Sequence, residues 1–236
     1  MIEAILPPGV VSVDTREEWL DEPLFPAEEL SLGNPVDKRR REFTTARACA
    51  HRALEQLDRP AVPIPSGSSG EPLWPDGVIG SITHCTGYRG CALAVATSFT
   101  AIGIDAEPHA CLPGGVFGQI ALHEESAWVR ARTRSHPSVH WDRLLFSAKE
   151  SLYKAWFPMS EHRPGFHDAL ITVDSRPNRF EARLLRPGPE VDGRHLGRLH
   201  GRWLIRDGLI LTAVVIAPVP DQTAPASAAC AATGRE

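Results

Sequence analysis

Two carboxylates follow a short apolar segment, and their spacing could create a site for a cation. The segment 101–107 reads Ala-Ile-Gly-Ile-Asp-Ala-Glu. Side chains alternate between the two faces of a strand, so Asp105 and Glu107 would point to the same side. Like charges about 5–6 Å apart repel by about 3 kcal/mol at an effective dielectric constant of about 20. The pair indicates a bound cation or a shared proton, or else a solvated strand end with two ordinary acids.

A third carboxylate lies on a helix that the apolar periodicity predicts over residues 141–156. Its inward positions are Leu145, Ala148, Leu152 and Trp156. Glu150 and Lys154 are four residues apart and would be neighbours on the helix surface. They form either an exposed ion pair, which stabilises the fold by about 0.5 kcal/mol, or a pair with a role in function. In the functional interpretation Glu150 completes an oxygen site for Mg²⁺, and Lys154 and Lys149 face the phosphates that the metal carries.

An earlier helix, predicted over residues 36–57, carries a run of basic residues. Its inner face is predicted from the helical spacing of Phe43, Ala46, Ala50, Ala53, Leu54 and Leu57. The charged run 38–41 is typical of a solvated helix face. Arg47 lies in the apolar half of the helix, where an unpaired guanidinium would be costly. We therefore expect an anionic partner for Arg47.

Short strands and loops must position these groups. Residues 60–75 form a loop rich in Pro, Gly and Ser, which we interpret as a binding loop because apolar segments flank it. Strands are predicted at 78–84, 90–96, 101–106, 169–174, 179–185, 198–206 and 209–216. The first three strands are expected to form a meander against the helix at 36–57. A further helix is predicted over 123–134, a loop over 108–118, and irregular surface structure or short helical turns over 15–32.

A long helix followed by strands occurs twice in the chain. This pattern favours an α+β fold with two pseudo-twofold-related halves and a cleft between them. The first half would span residues 1–107 and the second half residues 108–217. Residues 218–236 are rich in Pro, Ala and Thr without periodicity, so we expect a disordered tail there.

The composition limits the class of protein. The chain has 236 residues, 42% of them hydrophobic, and a formal net charge of -4, which suits one sizeable domain. Its five cysteines lie in no CxxC or metal-binding spacing and indicate reduced thiols in the cytoplasm. The sequence has no signal peptide and no apolar run long enough to cross a bilayer. Nucleic acid is not an expected partner, because no basic–aromatic pattern occurs.

Four motifs occur in an order that resembles the signature of the Sfp-type 4'-phosphopantetheinyl transferases. They are Gly70-Glu71-Pro72, Ser81-Ile82-Thr83-His84, Gly103-Ile104-Asp105-Ala106-Glu107 and Phe146-x-x-Lys149-Glu150-Ser151-x-x-Lys154. Two further stretches are similar to an actinobacterial subgroup related to enterobactin synthase components: Arg41-Glu42-Phe43-Thr44-Thr45-Ala46-Arg47 and Leu73-Trp74-Pro75. The resemblance covers residues 41–156, and the strand pattern agrees to about residue 217.

The resemblance implies the fold of this family and its activity, the transfer of 4'-phosphopantetheine from coenzyme A to a serine of a carrier protein. Mg²⁺ in the cleft would hold the pyrophosphate of coenzyme A through Asp105, Glu107 and Glu150. The serine proton would pass to Glu150 or, as second choice, to Glu107, and the sequence does not separate the two. Lys154, assisted by Lys149, would neutralise or protonate the leaving 3',5'-ADP.

The same resemblance implies a set of coenzyme-binding residues. Thr83 and His84 would contact phosphates of coenzyme A. Arg47 would pair with the 3'-phosphate, with support from Arg52. The loop Gly70-Glu71-Pro72 would line the adenosine pocket. Its acidic residue departs from the family, which often has Lys or Arg at that position, so we expect contacts from the loop's backbone only.

The expected partners are acyl or peptidyl carrier protein domains, which are small and acidic. They would dock on Arg130, Arg132 and Arg134 or on the loop 157–166, unless these are plain solvated surfaces. A monomer is expected, because one chain supplies both sides of the cleft. Two alternatives stay open: a coenzyme A-binding protein without transferase activity, and a metal-dependent phosphohydrolase.

Overall fold

The computed structural model describes residues 1–160, 164–173, 178–191 and 193–218. Its helices are α1 Pro26–Leu32, α2 Asp37–Gln56, α3 Val116–Ile120, α4 His123–Ser135 and α5 Trp141–Trp156. Its strands are β1 Val11–Thr15, β2 Val78–Cys85, β3 Tyr88–Val95, β4 Ala101–Pro108, β5 Ala169–Val173, β6 Arg179–Leu184, β7 Glu190–Val191, β8 Arg194–His195, β9 Arg198–Arg206 and β10 Leu209–Ile216. Short 3-10 helices lie at Ile2–Ile5, Phe157–Met159 and Phe166–Asp168.

A three-stranded antiparallel sheet packs against α2. Its strand order is β1-β3-β2. The apolar residues of α2 recur every three or four positions, and several are alanines that let the helix pack closely on the sheet. Ala50, Ala53 and Leu54 are fully buried in a cluster with Cys91 and Leu93 of β3. The inner face predicted for this helix is confirmed, apart from its last residue, which is only half-buried.

A five-stranded antiparallel sheet carries α5 on one face, in the order β4-β10-β9-β6-β5. β4 pairs with β10 over its full length, and Asp105 lies opposite Thr212. The predicted meander of β2, β3 and β4 is therefore wrong, because β4 opens the second sheet instead of closing the first. The boundary between the two sheets lies before residue 101, and the division of the chain into halves at residue 107 stays a prediction.

Hydroxyl side chains of β2 link the two sheets in place of a strand ladder. Ser81 Oγ accepts a hydrogen bond from the Ile104 amide at 3.1 Å, and Thr83 Oγ1 accepts one from the Ala106 amide at 3.0 Å. These contacts satisfy backbone donors of β4 that would otherwise be buried without partners. The apolar face predicted for β4 is confirmed, since it is buried in one cluster with residues of β3 and β10.

The other face of β4 lies against α5, and Gly103 sets the distance between them. A Cβ atom at this position would overlap the carbonyl oxygen of Ser151 and the amide nitrogen of Ala155. Glycine is the residue that lets the helix backbone lie this close to the strand. Asp105 is consequently 4% exposed, so it does not belong to a solvated strand end.

Most predicted elements are confirmed, including the bounds of α5, β9 and β10. The short helix α1 agrees with the helical-turn alternative predicted for 15–32, whereas α3 begins within 108–118, which was predicted to be a loop. The α+β class is confirmed, whereas the pseudo-twofold relation of the halves stays a prediction. Residues 219–236 of the predicted tail lie outside the described residues. Within the described part of the chain, no helix is both long enough and apolar enough to cross a membrane.

Candidate active site

A cleft of about 790 Å³ opens between α2, β2, the end of β4 and α5. Most of the residues singled out in the sequence line it: Arg47, Gly70, Glu71, Pro72, Thr83, His84, Asp105, Glu107, Glu150 and Lys154. Its volume is typical of pockets that bind small organic ligands. The fold thus brings basic groups of α2 and carboxylates of β4 and α5 to one place.

Asp105 is buried in this cleft and is held by groups from several elements. Lys154 Nζ donates to Asp105 Oδ1 at 2.7 Å and to the carbonyl oxygen of Ile104 at 3.1 Å. Ser147 Oγ donates to Asp105 Oδ2 at 2.8 Å, and Thr83 Oγ1 lies 3.4 Å from Oδ1. Both oxygens of the carboxylate are therefore fixed in orientation.

Glu107 is paired with a cation that the sequence analysis did not single out. Arg143 Nη1 donates to Glu107 Oε2 at 2.7 Å, and the two side chains are 14% and 17% exposed. The same guanidinium donates to the carbonyl oxygens of Ala110 and Cys111, so it ties the turn after β4 to α5. Burial and the nearby charge of Asp105 raise the pKa of Glu107, and Arg143 opposes this shift.

Glu150 reaches the cleft from α5. The exposed ion pair with Lys154, one of the two interpretations of their spacing, is not formed, because that ammonium binds Asp105 instead. Burial raises the pKa of Glu150, Lys154 lowers it, and the charge of Asp105 raises it again. Since Asp105 acts on both glutamates, the three carboxylates share one electrostatic environment.

The three carboxylates are not arranged as a metal-binding cluster in this structure. Among the described residues, no three His, Cys, Asp or Glu side chains are grouped closely enough to hold a metal ion. Lys154 and Arg143 instead neutralise two of the acids. The donor set itself suits a hard divalent cation, because all three groups offer carboxylate oxygens, and the charge of Asp105 contributes to the raised pKa of Glu107 and of Glu150.

Arg47 is buried on the α2 side of the cleft without the anionic partner that we expected. Its Nε donates to the carbonyl oxygen of Ile64 at 2.6 Å, and its Nη2 donates to Ser66 Oγ at 3.1 Å. Its guanidinium lies 4.1 Å from the centre of the Phe43 ring. Burial lowers the pKa of Arg47 to about 10, and the charge of Glu28 opposes this shift. No carboxylate of the described chain forms an ion pair with this guanidinium, which leaves it suited to an anionic ligand.

Glu71 folds back onto its own loop. Its Oε2 accepts a hydrogen bond from the Ser69 amide at 2.9 Å, and its carbonyl oxygen accepts one from the Gly67 amide at 2.7 Å. Gly70 has a φ of 85°, a left-handed conformation that glycine adopts readily and that turns the chain here. The acidic side chain therefore shapes the loop.

His84 lies beside an arginine at the cleft. Arg39 Nη1 is 3.0 Å from His84 Nε2, so the imidazole accepts a hydrogen bond from the guanidinium. His84 Nδ1 is 3.7 Å from Glu42 Oε2. Burial, followed by the charge of Arg39, lowers the pKa of His84, while Glu42 opposes this shift. The lowered pKa and the hydrogen bond from Arg39 both favour the neutral imidazole.

Two residues that the resemblance placed at the coenzyme have other contacts and do not line this cleft. Arg52 lies on the outer side of α2, where it pairs with Glu22 and lies 3.7 Å from the centre of the Trp19 ring. Lys149 is buried on the inner side of α5, 2.8 Å from Glu125, and it also donates to two backbone carbonyl oxygens. Both cations thus serve the packing of the chain in this structure.

The residues that the sequence analysis missed follow the same helical spacing as the apolar faces. On α2, Arg39 lies four residues before Phe43 and eight before Arg47, and all three line the cleft. On α5, one polar stripe turns towards β4 and the cleft: Arg143, Ser147, Glu150 and Lys154. A search for polar stripes with helical periodicity would have found Arg39, Arg143 and Ser147.

A second pocket of about 260 Å³ adjoins the cleft, because Glu150 and Tyr153 line both. Most of its other walls are apolar: Leu152, Trp156, Pro164, Phe166 and Ala169. An apolar pocket beside a charged cleft suits a ligand that has one charged and one uncharged part.

Comparisons with known proteins match nearly the whole chain. Residues 27–95 match the family model of the 4'-phosphopantetheinyl transferase N-terminal domain, and residues 101–204 match that of the 4'-phosphopantetheinyl transferase superfamily. The chain is 46% identical to 4'-phosphopantetheinyl transferase Svp of Streptomyces mobaraensis, over 97% of this chain and 94% of the relative. It is 47% identical to 4'-phosphopantetheinyl transferase Npt of Nocardia iowensis, over 92% of this chain and 100% of the relative. For 4'-phosphopantetheinyl transferase PptT of Mycobacterium tuberculosis the identity is 43%, over 92% of this chain and 98% of the relative.

Proposed function

Because the chain belongs to the 4'-phosphopantetheinyl transferase superfamily, we propose that the cleft between α2, β4 and α5 is its active site. The chain is a 4'-phosphopantetheinyl transferase, which transfers phosphopantetheine to carrier proteins with coenzyme A as substrate. The observation that carries the assignment of the site is that Asp105, Glu107 and Glu150 line one cleft with Arg47.

Basic groups of α2 and β2 bind the phosphates of coenzyme A. Arg47 takes the 3'-phosphate, because its planar guanidinium is buried at the cleft and forms no ion pair with a described carboxylate. His84 and Arg39 contact a phosphate together, and Thr83 lies next to them. The backbone of the loop 70–72 lines the adenosine side. Arg52 has no part in this proposal, since it pairs with Glu22 on the outer side of α2. Lys149 borders the adjoining pocket, but its ammonium is engaged by Glu125, so we assign it no phosphate contact.

Asp105, Glu107 and Glu150 hold Mg²⁺ when coenzyme A is bound. Carboxylate oxygens are the ligands that Mg²⁺ prefers, and burial, together with the charge of Asp105, raises the pKa of both glutamates. The metal supplies charge neutralisation at the pyrophosphate and at the phosphoryl group in transfer. Lys154 and Arg143 balance the acids while the metal is absent.

Glu150 accepts the proton of the attacking serine. A general base works best when its pKa is raised towards the working pH, and burial raises the pKa of Glu150. Glu107 is the weaker candidate, because the guanidinium of Arg143 binds its carboxylate at 2.7 Å and stabilises the ionised form. Lys154 lies in the same cleft and neutralises the leaving phosphate of 3',5'-ADP.

The adjoining apolar pocket takes the uncharged pantetheine arm. It shares Glu150 and Tyr153 with the cleft, so the arm lies next to the proposed base. The carrier protein approaches past the segment after α5, because Phe157 and Pro158 line the cleft. Residues 161–163 of the expected docking loop 157–166 lie outside the described residues.

The alternative docking surface on α4 has less support. Arg130 and Arg134 are exposed, Arg132 lies 5.6 Å from the centre of the Trp141 ring, and none of the three lines the cleft. A monomeric state and a cytoplasmic location stay predictions from the sequence.

Intact mass spectrometry of an apo carrier protein tests this function. The purified chain, coenzyme A and Mg²⁺ should add one phosphopantetheine to the carrier. Asp105→Asn, Glu107→Gln and Glu150→Gln should each lower the rate by about 100-fold or more. Glu124→Gln is the matched control, because Glu124 is exposed on α4. Unchanged rates in the folded carboxylate variants would contradict the assigned site.

The same assay separates the two alternatives. Coenzyme A binding without a mass gain on any carrier would indicate a binding protein. Release of 3',5'-ADP in the absence of a carrier, at the rate seen in its presence, would indicate a phosphohydrolase.

A further inference from the structure

Asp105 receives its contact at Oδ2 from a chain of buried hydroxyls. Ser147 Oγ lies 2.8 Å from Asp105 Oδ2 and 2.9 Å from Thr212 Oγ1. Thr212 Oγ1 also lies 2.8 Å from the carbonyl oxygen of Ser147. Ser147 and Thr212 are both 0% exposed, so water does not compete for these hydrogen bonds.

The direction of these hydrogen bonds follows from the number of protons. Each hydroxyl has one proton, and an ionised carboxylate only accepts. Ser147 therefore donates to Asp105, because the opposite orientation would leave Oδ2 without a donor. Thr212 donates its one proton to Ser147, and the acceptor is either the carbonyl oxygen or Oγ of that residue. The relay thus runs from Thr212 to Ser147 to Asp105.

The relay joins three elements whose relative position decides the shape of the cleft. Asp105 is on β4, Thr212 is its direct partner on β10, and Ser147 lies on α5. Because Ser147 holds Oδ2, the other oxygen, Oδ1, is the one that meets Lys154 at the cleft.

We propose that Ser147 and Thr212 are positioning residues for the transferase: they hold Asp105 Oδ2 so that Oδ1 is presented to a divalent cation. This inference rests on the proposed function of the cleft. Groups that orient a ligand carboxylate change metal affinity by about 10–100-fold in other proteins. Neither hydroxyl touches coenzyme A or the acceptor serine in this proposal, so both act through Asp105.

Direct binding of Mn²⁺ in the presence of coenzyme A, followed by electron paramagnetic resonance, tests the relay without relying on turnover. Mn²⁺ is a suitable probe because it prefers the same oxygen ligands as Mg²⁺. Ser147→Ala should raise the Kd for Mn²⁺ about 10-fold, and Ser147→Thr should restore it. Thr212→Val should raise the Kd about 3-fold, because it acts one step further from the metal, and Thr212→Ser should leave it unchanged.

Ser151→Ala is the matched control. Ser151 lies on the same helix, is 0% exposed and donates to the carbonyl oxygen of Ala148, without contacting Asp105. This variant loses one buried hydroxyl, as Ser147→Ala does, and should keep the Kd of the unmodified protein. In the transfer assay, Ser147→Ala should raise the Mg²⁺ concentration needed for half-maximal rate and leave kcat at saturating Mg²⁺ nearly unchanged.

The outcomes distinguish the relay from the function of the cleft. If Ser147→Ala binds Mn²⁺ as the unmodified protein does, or if Ser151→Ala weakens binding equally, the relay is contradicted and the metal site stands. If the unmodified protein with coenzyme A does not bind Mn²⁺, the metal role of the cleft fails and the relay fails with it. Should Ser147→Ala not fold, as judged by circular dichroism, equal Kd values for Thr212→Val and Thr212→Ser would overturn the relay.

Discussion

The ammonium of Lys154 lies 2.7 Å from Asp105 Oδ1, so a side chain of α5 neutralises the acid at which we place a divalent cation. Lysine and metal cannot both bind this oxygen closely, because like charges repel at short range. Among the described residues no three potential ligands are grouped closely enough to hold a metal ion, and Asp105 and Glu107 each pair with a cation of α5.

Removal of Lys154 should therefore have opposite effects on metal binding and on transfer. Lys154→Met should bind Mg²⁺ about 10-fold more tightly than the unmodified protein in the absence of coenzyme A, since a competing cation is gone. Its transfer rate should fall by about 100-fold, because the leaving phosphate loses a neutralising group. Calorimetry and carrier mass spectrometry measure the two effects. Weaker Mg²⁺ binding in this variant would contradict the competition.

Two arginines on α2 provide a matched pair for coenzyme binding. Arg47 lines the cleft, whereas Arg52 pairs with Glu22 on the outer side of the helix. Arg47→Ala should raise the KM for coenzyme A about 10-fold or more, because a hydrogen-bonded charge contact is lost. Arg47→Lys should be intermediate, since it keeps the charge without the planar fork. Arg52→Ala should change the KM by less than about 2-fold, and an equal effect of both alanine variants would refute the assignment.

We expect Lys149 to contribute to the stability of the fold and not to catalysis. Its ion pair with Glu125 is almost completely buried, with side chains 2% and 0% exposed. Lys149→Met would leave a buried charge without a partner, which costs about 3–5 kcal/mol. Adding Glu125→Gln removes that charge and should recover part of the lost free energy of unfolding, as measured by urea denaturation. A stable Lys149→Met variant that has lost coenzyme binding would instead favour the phosphate contact implied by the family resemblance.

Even an alanine side chain at position 103 should destabilise the fold. A methyl group there would overlap the backbone of α5 at Ser151 and Ala155, and neither backbone atom can rotate away. Gly103→Ala should lower the free energy of unfolding by about 3 kcal/mol and displace Glu150 from β4. Gly114→Ala is the control, because nothing lies within 4 Å of a Cβ atom at that position. Similar urea midpoints for the two variants would show that α5 shifts without cost.

His84 should make the protein less stable in mild acid. Its pKa is lowered in the folded state by burial and by Arg39, from an ordinary value of 6.5, and Lys154 and Arg89 act in the same direction against Glu42. The unfolded chain therefore takes up a proton first as the pH falls below 6.5, and stability decreases until the lowered pKa is passed. Urea denaturation between pH 7 and pH 5 should show this slope, and His84→Gln should lack it. The exposed His123→Gln variant should keep the slope.

Ligand binding should reverse this shift of His84. A phosphate of coenzyme A next to the imidazole favours the protonated form, so binding near pH 6 should take up a proton. Calorimetry in buffers with different ionisation enthalpies measures that uptake. A proton uptake that is unchanged in His84→Gln would place the phosphate away from this residue.

Local patterns in the sequence were sufficient to predict the helices, most strands and their buried faces. Helical periodicity located α5 and the inner face of α2, and alternation located the apolar face of β4. Such patterns are readable because neighbouring residues in one element share the same environment. The motifs that resemble the family contain Asp105, Glu107 and Glu150, and these residues do line one cleft.

The tertiary structure alone decided which charges pair and which strands are neighbours. β4 pairs with β10, about a hundred residues away, and Glu107 pairs with Arg143, a contact that the sequence pattern did not indicate. Lys149 turns inward to Glu125 although it adjoins Glu150 in sequence. Arg52 and Arg47 lie on one helix, but only one of them reaches the cleft. Electrostatic and hydrogen-bond partners depend on distances of a few ångströms between distant segments, and local periodicity carries no information about those distances.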